Sequence, residues 1–216
     1  MAKLRVGVLI SGRGSNMRAL IDAASAPDYP AEIVLVVSNV PGAGGLEYAK
    51  SAGIAVAVVN HKEFATREAF EEAVCRKLQE AEAELVCLAG FMRVLTEGMA
   101  RRWRDRLINI HPSLLPAFTG LHVQERAVET GVRFSGCTVH FVRPAMDDGP
   151  IIAQACVPVF QSDSADDLTA RILIQEHRIY PLAVKLIAEG RVRVVNERVT
   201  IDGADEADGV LLNPQP

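Results

Sequence analysis

Arg5-Val6-Gly7-Val8-Leu9-Ile10-Ser11-Gly12-Arg13-Gly14-Ser15-Asn16 is the stretch that decides the fold. The apolar run over residues 6–10 is short and shows no polar alternation, the pattern of a strand covered on both faces. A loop of Gly and Ser follows, and beyond it Leu20, Ile21 and Ala24 take helical spacing. Strand, glycine loop and helix form the opening unit of a doubly wound α/β sheet. Free backbone N–H groups and the positive end of the helix dipole favour an anion at such a loop. Ser15 and Asn16 add side-chain donors. A dinucleotide fingerprint needs Gly where Met17 stands and an acidic residue near Ser38-Asn39, and a Walker A loop needs Gly-Lys-Ser/Thr. Neither pattern occurs, so the loop suits a single phosphate. Taken alone, it also suits a tight turn with a helix cap.

The same alternation continues outward. Residues 33–37 read as a β-branched strand, 46–52 as a helix stopped by Gly53, and 54–59 as a third strand. An amphipathic helix over 67–82 precedes a buried strand at 85–88. Short strands alternating with helices predict a parallel sheet with crossover helices. Further on, a strand at 107–110 runs into His111, a helix at 123–130 stops at Gly131, and strands at 138–142 and 151–159 flank a loop. Ser164 is a suitable N-cap, with Asp167 completing part of a capping box. The helix it opens is expected to reach residue 189, with a kink at Pro181, and to end at Gly190. Residues 192–196 and 199–202 predict a hairpin, and the tail after it is expected to be loosely held.

Composition bounds the partners. The 216 residues carry 23 Lys plus Arg and 27 Asp plus Glu, a net charge of −4 that argues against nucleic acid. The basic run Arg101 to Arg106 reads as a solvated face. No stretch approaches the roughly 20 apolar residues of a membrane span, and the start lacks a signal h-region. Cys75, Cys87, Cys137 and Cys156 form no Cys-x-x-Cys pair, which fits free thiols in a reducing cytoplasm.

Asn109 and His111 lie two apart at the end of a predicted strand, so both side chains point to one face at its C-terminal edge. An amide there can donate to a developing oxyanion, and an imidazole can shuttle a proton. The same two residues would also suit a capped turn. Asp147, in Asp147-Asp148-Gly149-Pro150, offers a carboxylate to orient an imidazole, although such a sequence is also an ordinary turn. His61, His122 and His140 show no metal-ligand spacing, so no metal is expected. No Gly-x-Ser-x-Gly elbow occurs, and covalent catalysis has no candidate.

The linear order of these motifs is more specific than any one of them. A glycine loop comes first, then Gly90-Phe91-Met92-Arg93, then Asn109-Ile110-His111-Pro112-Ser113-Leu114-Leu115-Pro116, then Asp147 before Gly149-Pro150. From about Leu4 to Ile201 the chain resembles the phosphoribosylglycinamide formyltransferase family, folate-dependent enzymes of purine synthesis with a Rossmann-like α/β fold. The resemblance implies a catalytic trio of Asn109, His111 and Asp147. It implies substrate phosphate contacts at Gly14, Ser15 and Asn16, and a carboxylate for the ribonucleotide at Glu176. Arg67, Met92, Arg93, Val94 and Leu95 match positions lining a folate pocket, which Asn109 borders. Arg143, Pro144, Ala145, Met146 and Asp147 match a loop whose backbone reads the pterin ring.

The implied reaction passes the formyl group of 10-formyltetrahydrofolate to the amine of glycinamide ribonucleotide, by a monomer or homodimer. The implied layout is one domain over residues 1–203, with a phosphate-binding half to about 104, a catalytic and folate half beyond, and a tail from 204. Asp148 departs from the family pattern where a second Gly is common, as does Ala117 after Pro116. The alternatives are a formyltetrahydrofolate hydrolase and a non-catalytic nucleotide-binding module. A hydrolase of this kind usually carries an N-terminal regulatory domain, for which a first strand at Leu4 leaves no room. A non-catalytic module would not need the whole trio.

Overall fold

The computed structural model describes residues 2–204 and 211–213. Strands β1 (Leu4–Ile10), β2 (Ala31–Ser38), β3 (Val56–Val58), β4 (Leu85–Leu88) and β5 (Leu107–His111) pair in parallel, and β6 (Phe134–Phe141) and β7 (Ile151–Pro158) extend the sheet antiparallel. The spatial order is β3-β2-β1-β4-β5-β6-β7. Helices α1 (Ser15–Ala24), α2 (Gly44–Ser51), α3 (Arg67–Glu80), α4 (Glu97–Arg102), α5 (Val123–Thr130) and α6 (Ala165–Ala188) connect the strands or cover the sheet, and β8 (Val192–Val195) and β9 (Arg198–Ile201) form a hairpin.

Strict period-2 alternation explains why the strand sequences look uniformly apolar. Val6, Val8 and Ile10 of β1 and Leu85 and Cys87 of β4 face one core, shared with α1, α2 and α6. Leu9, Val86 and Leu88 face the other, under α3 and α4. Both faces are buried, so no polar phase is left to read. Helix α3 packs closely over Gly7, where a Cβ would lie 2.4 Å from a Leu78 methyl and would have to displace that side chain.

Most expected elements stand within a few residues of their predicted places. Helix α4 was not expected, because Arg101 to Arg106 reads as solvent-facing. Its charges are paired outward, Arg101 with Glu97 and Arg102 with Glu72, while Trp103 at its end is buried against α3. The long helix is continuous through Pro181 to Ala188, and the Ser164–Asp167 capping box is fully formed. Part of the tail expected to be loosely held, residues 205–210 and 214–216, lies outside the described residues. Within it, Asn213 is tied down, its amide donating to the Arg133 and Val159 carbonyls at 2.7 and 3.1 Å.

The order of strands reverses between β1 and β4, and there the carboxyl ends of an open sheet leave a crevice. The loops after these two strands are stitched together. Ser11 N–H donates to the Gly90 carbonyl at 3.1 Å, and the Ser11 hydroxyl accepts from Met92 N–H at 2.8 Å.

Candidate active site

The glycine loop meets its expectation of geometry. Gly14 takes the left-handed conformation at φ 70° as the N-cap of α1, with no side chain capping the helix, which leaves the first-turn N–H groups free. Asn16, in that first turn, donates through Nδ2 to Glu176 Oε2 at 2.6 Å, across 160 residues of chain. Both side chains are buried. Asn16 Oδ1 has no partner among the described residues. Burial pushes the Glu176 carboxyl above its ordinary value, against the lowering effects of the Asn16 hydrogen bond and the nearby His111. An orphaned buried acceptor beside a carboxylate can receive the donors of a ligand or of an ordered water.

On β5, Asn109 and His111 share a face as their spacing requires. Antiparallel pairing sets Asn109 opposite His140 of β6, and the amide Nδ2 lies 3.3 Å from His140 Nε2. His140 Nδ1 sits 3.0 Å from the Phe141 carbonyl and must carry a proton to donate to it. Nε2 then accepts from Asn109, which fixes the amide's orientation and leaves its second N–H free. Burial pushes the His140 pKa down, so the neutral ring this arrangement needs is the favoured one. His140 is a participant that sequence reading missed; only its cross-strand register with Asn109 could have revealed it.

His111 has an acceptor at each ring nitrogen. Nδ1 lies 3.5 Å from Asp147 Oδ1, and Nε2 lies 3.0 Å from the Phe118 carbonyl. A doubly protonated ring donates to both. Asp147 comes from the loop between β6 and β7, takes the left-handed conformation at φ 52°, and accepts from Gly120 N–H through Oδ2 at 2.7 Å. Asn and Asp tolerate that conformation better than most residues. The loop is closed by Gly149, where a Cβ would lie 2.0 Å from the Phe141 carbonyl oxygen.

The remaining sequence-predicted residues distribute around this edge. Met92, Val94 and Met146 are exposed apolar side chains, and Arg67 is an exposed cation at the start of α3. Arg93 and Leu95 are half-buried, and Pro144 and Ala145 are exposed. Arg143 differs, because its side chain is buried and engaged with Asp105 and Glu197. The Leu115–Pro116 peptide is cis. Burial pushes the Cys87 and Cys137 thiols up to about 12, the opposite of an activated nucleophile. No group of three or more metal-binding side chains occurs among the described residues.

Residues 4–184 match the formyl transferase family. The chain belongs to that family. Within it, a trifunctional purine biosynthetic protein adenosine-3 from Drosophila pseudoobscura pseudoobscura is 53% identical over 195 residues, covering 89% of this chain and 14% of that protein. This chain therefore spans about one seventh of that longer relative. A phosphoribosylglycinamide formyltransferase from Escherichia coli strain K12 is 43% identical, covering 93% of this chain and 94% of that one. Among solved structures, glycinamide ribonucleotide transformylase 1 from Symbiobacterium toebii superposes with a TM-score of 0.90 at 46% identity, covering 92% and 94% of the two chains. The formyl transferase sheet and hairpin expected from sequence are those described above.

Proposed function

We propose that this formyl transferase moves the formyl group of 10-formyltetrahydrofolate onto the amine of glycinamide ribonucleotide, a step of purine biosynthesis, in the cytoplasm and as a monomer or homodimer. One observation carries the reading: His111 is held by Asp147 two residues along β5 from an Asn109 amide whose orientation His140 fixes. The names of the near-full-length relatives point the same way.

In this reading the ribonucleotide phosphate sits on the free N–H groups at Gly14, Ser15 and Asn16. Asn16 Oδ1 and the Glu176 carboxylate accept from its hydroxyl or amine groups. Met92, Val94 and Met146 cover the flat ring of the formyl donor, with Leu95 behind them and the backbone of residues 143–147 reading the ring's edge. Arg67 and Arg93 meet the donor's carboxylates.

The substrate amine attacks the formyl carbon, forming a C–N bond and an oxyanion. Asn109 donates its free N–H to that oxygen. His111 exchanges the neutral Phe118 carbonyl for the same oxygen, a stronger acceptor because it is charged. Asp147 keeps His111 oriented and, through a water, accepts the amine proton and returns it to the folate nitrogen as the second C–N bond breaks. Alignment of two bound reactants supplies much of the remaining acceleration. No step uses a metal ion.

The test is purified protein with 10-formyltetrahydrofolate, with and without glycinamide ribonucleotide, followed by the absorbance change on deformylation. Deformylation that depends on the ribonucleotide is the expected result. Formate release without an acceptor would assign a hydrolase instead, and binding without turnover would assign a non-catalytic module.

A further inference from the structure

Arg143 leaves β6 at the root of the loop that carries Asp147, and its guanidinium is clamped from two sides. Nε donates to Glu197 Oε2 at 2.6 Å and Nη2 to Asp105 Oδ1 at 2.6 Å, while Nη1 reaches the Val142 carbonyl at 3.2 Å. The side chain is 8% exposed, so the cation is almost out of water, while both carboxylates stay about half exposed. Asp105 lies between α4 and β5. Glu197 lies in the tight turn of the β8–β9 hairpin, where Asn196 and Glu197 both have positive φ. Glu197 also pairs with Arg104. The hairpin follows residue 184, where the family match ends, yet its turn reaches back to the root of the active-site loop.

The loop's other restraints lie elsewhere. Phe141 N–H donates to the Pro150 carbonyl at 2.9 Å and closes its base, and Gly120 N–H holds Asp147 at its tip. Residues 144–146 between them are exposed and make no side-chain hydrogen bond among the described residues. Without the guanidinium, the limb from 143 to 147 would be held only at its base and by the contacts of Asp147 itself.

We propose that Arg143 is a positioning residue, and that its clamp by Asp105 and the hairpin's Glu197 sets where Asp147 stands against His111. The inference rests on the proposed formyl transfer for its kinetic consequence but not for its structural one. A buried cation that loses both carboxylates is left uncompensated, so the clamp acts as a unit. A small displacement of a group aligned with the reacting atoms costs as much as about 100-fold in rate.

The test compares Arg143→Ala, Arg143→Lys, Glu197→Gln and the wild-type full chain. Amide hydrogen exchange at Gly120 reports whether Asp147 is in place and needs no activity. Protection at Gly120 is expected to fall about 10-fold or more in Arg143→Ala and less in Glu197→Gln, with β1 and β4 unchanged and partial recovery in Arg143→Lys. In kinetics, Arg143→Ala is expected to lower kcat about 10- to 100-fold and raise KM for the formyl donor, with KM for the ribonucleotide unchanged. Wild-type protection at Gly120 in Arg143→Ala would overturn the proposal. So would a lowered Tm with kcat and both KM values unchanged, the signature of a merely structural role. A wild-type protein that transfers no formyl group, with Gly120 still deprotected in Arg143→Ala, would sink the proposed function and leave the clamp standing.

Discussion

His111 answers to two acceptors, and each does a different job. Asp147 fixes the ring's rotation, while the Phe118 carbonyl occupies the nitrogen that, in the proposed reaction, turns to the oxyanion. Replacing His111 or Asn109 with Ala is expected to lower kcat by about 100- to 1,000-fold, the range for an oxyanion donor. Circular dichroism should remain that of the wild type, and parallel loss of fold and activity would return both residues to a structural role. Glu176, in its proposed role, sets stability against binding. Its folded pKa is raised, so its contribution to stability is complete below the unfolded value and is lost as pH rises through the folded one. Glu176→Gln removes that loss and keeps an acceptor for Asn16. The variant is expected to melt about 2–4 °C above the wild type at pH 7, with the difference closing near pH 4 and KM for the ribonucleotide raised. Equal melting temperatures at pH 7 would contradict the buried-carboxylate argument.

Elements owe their limits to local chemistry that is checkable one residue at a time. Helix α6 begins where Ser164 Oγ accepts from Asp167 N–H at 3.2 Å and Ser164 N–H donates to Asp167 Oδ2 at 2.9 Å. Ser164→Ala is expected to cost about 1 kcal/mol in urea unfolding, while kcat stays at the wild-type value because the cap is far along α6 from Glu176. No change in the unfolding midpoint would show that tertiary packing, not the cap, sets this boundary. Helix α4 illustrates the opposite case. Six residues, two of them basic and followed by two more arginines in the next four, carry too little apolar periodicity to announce a helix, and the burial of Trp103 against α3 holds it there.

At the scale of the whole molecule, a buried phenol ties α6 to the middle of the sheet. Tyr180 is fully buried, and its hydroxyl lies 3.0 Å from the Leu88 carbonyl and 3.3 Å from that of Ile108, bridging β4 and β5. Tyr180→Phe keeps the ring and removes the donor, so about 1 kcal/mol of stability should be lost, read as a Tm lower by about 2–4 °C. An unchanged Tm would mean that the sheet's own ladder already satisfies both carbonyls.

The strand–loop–helix units, the glycine loop and the shared face of Asn109 and His111 were legible in sequence, because each rests on contacts within a few residues or on a simple period. Asp147 could be named from the order of motifs, but its approach to His111 could not be derived from spacing. The chain alone determined which residue types line the sheet's carboxyl edge, since local sterics and hydrophobic phase act on neighbours. Tertiary structure alone decided that Asn16 meets Glu176, that His140 orients Asn109 and that Glu197 reaches Arg143. Those contacts join side chains from 31 to 160 residues apart, and only the packing of the folded chain brings them within reach.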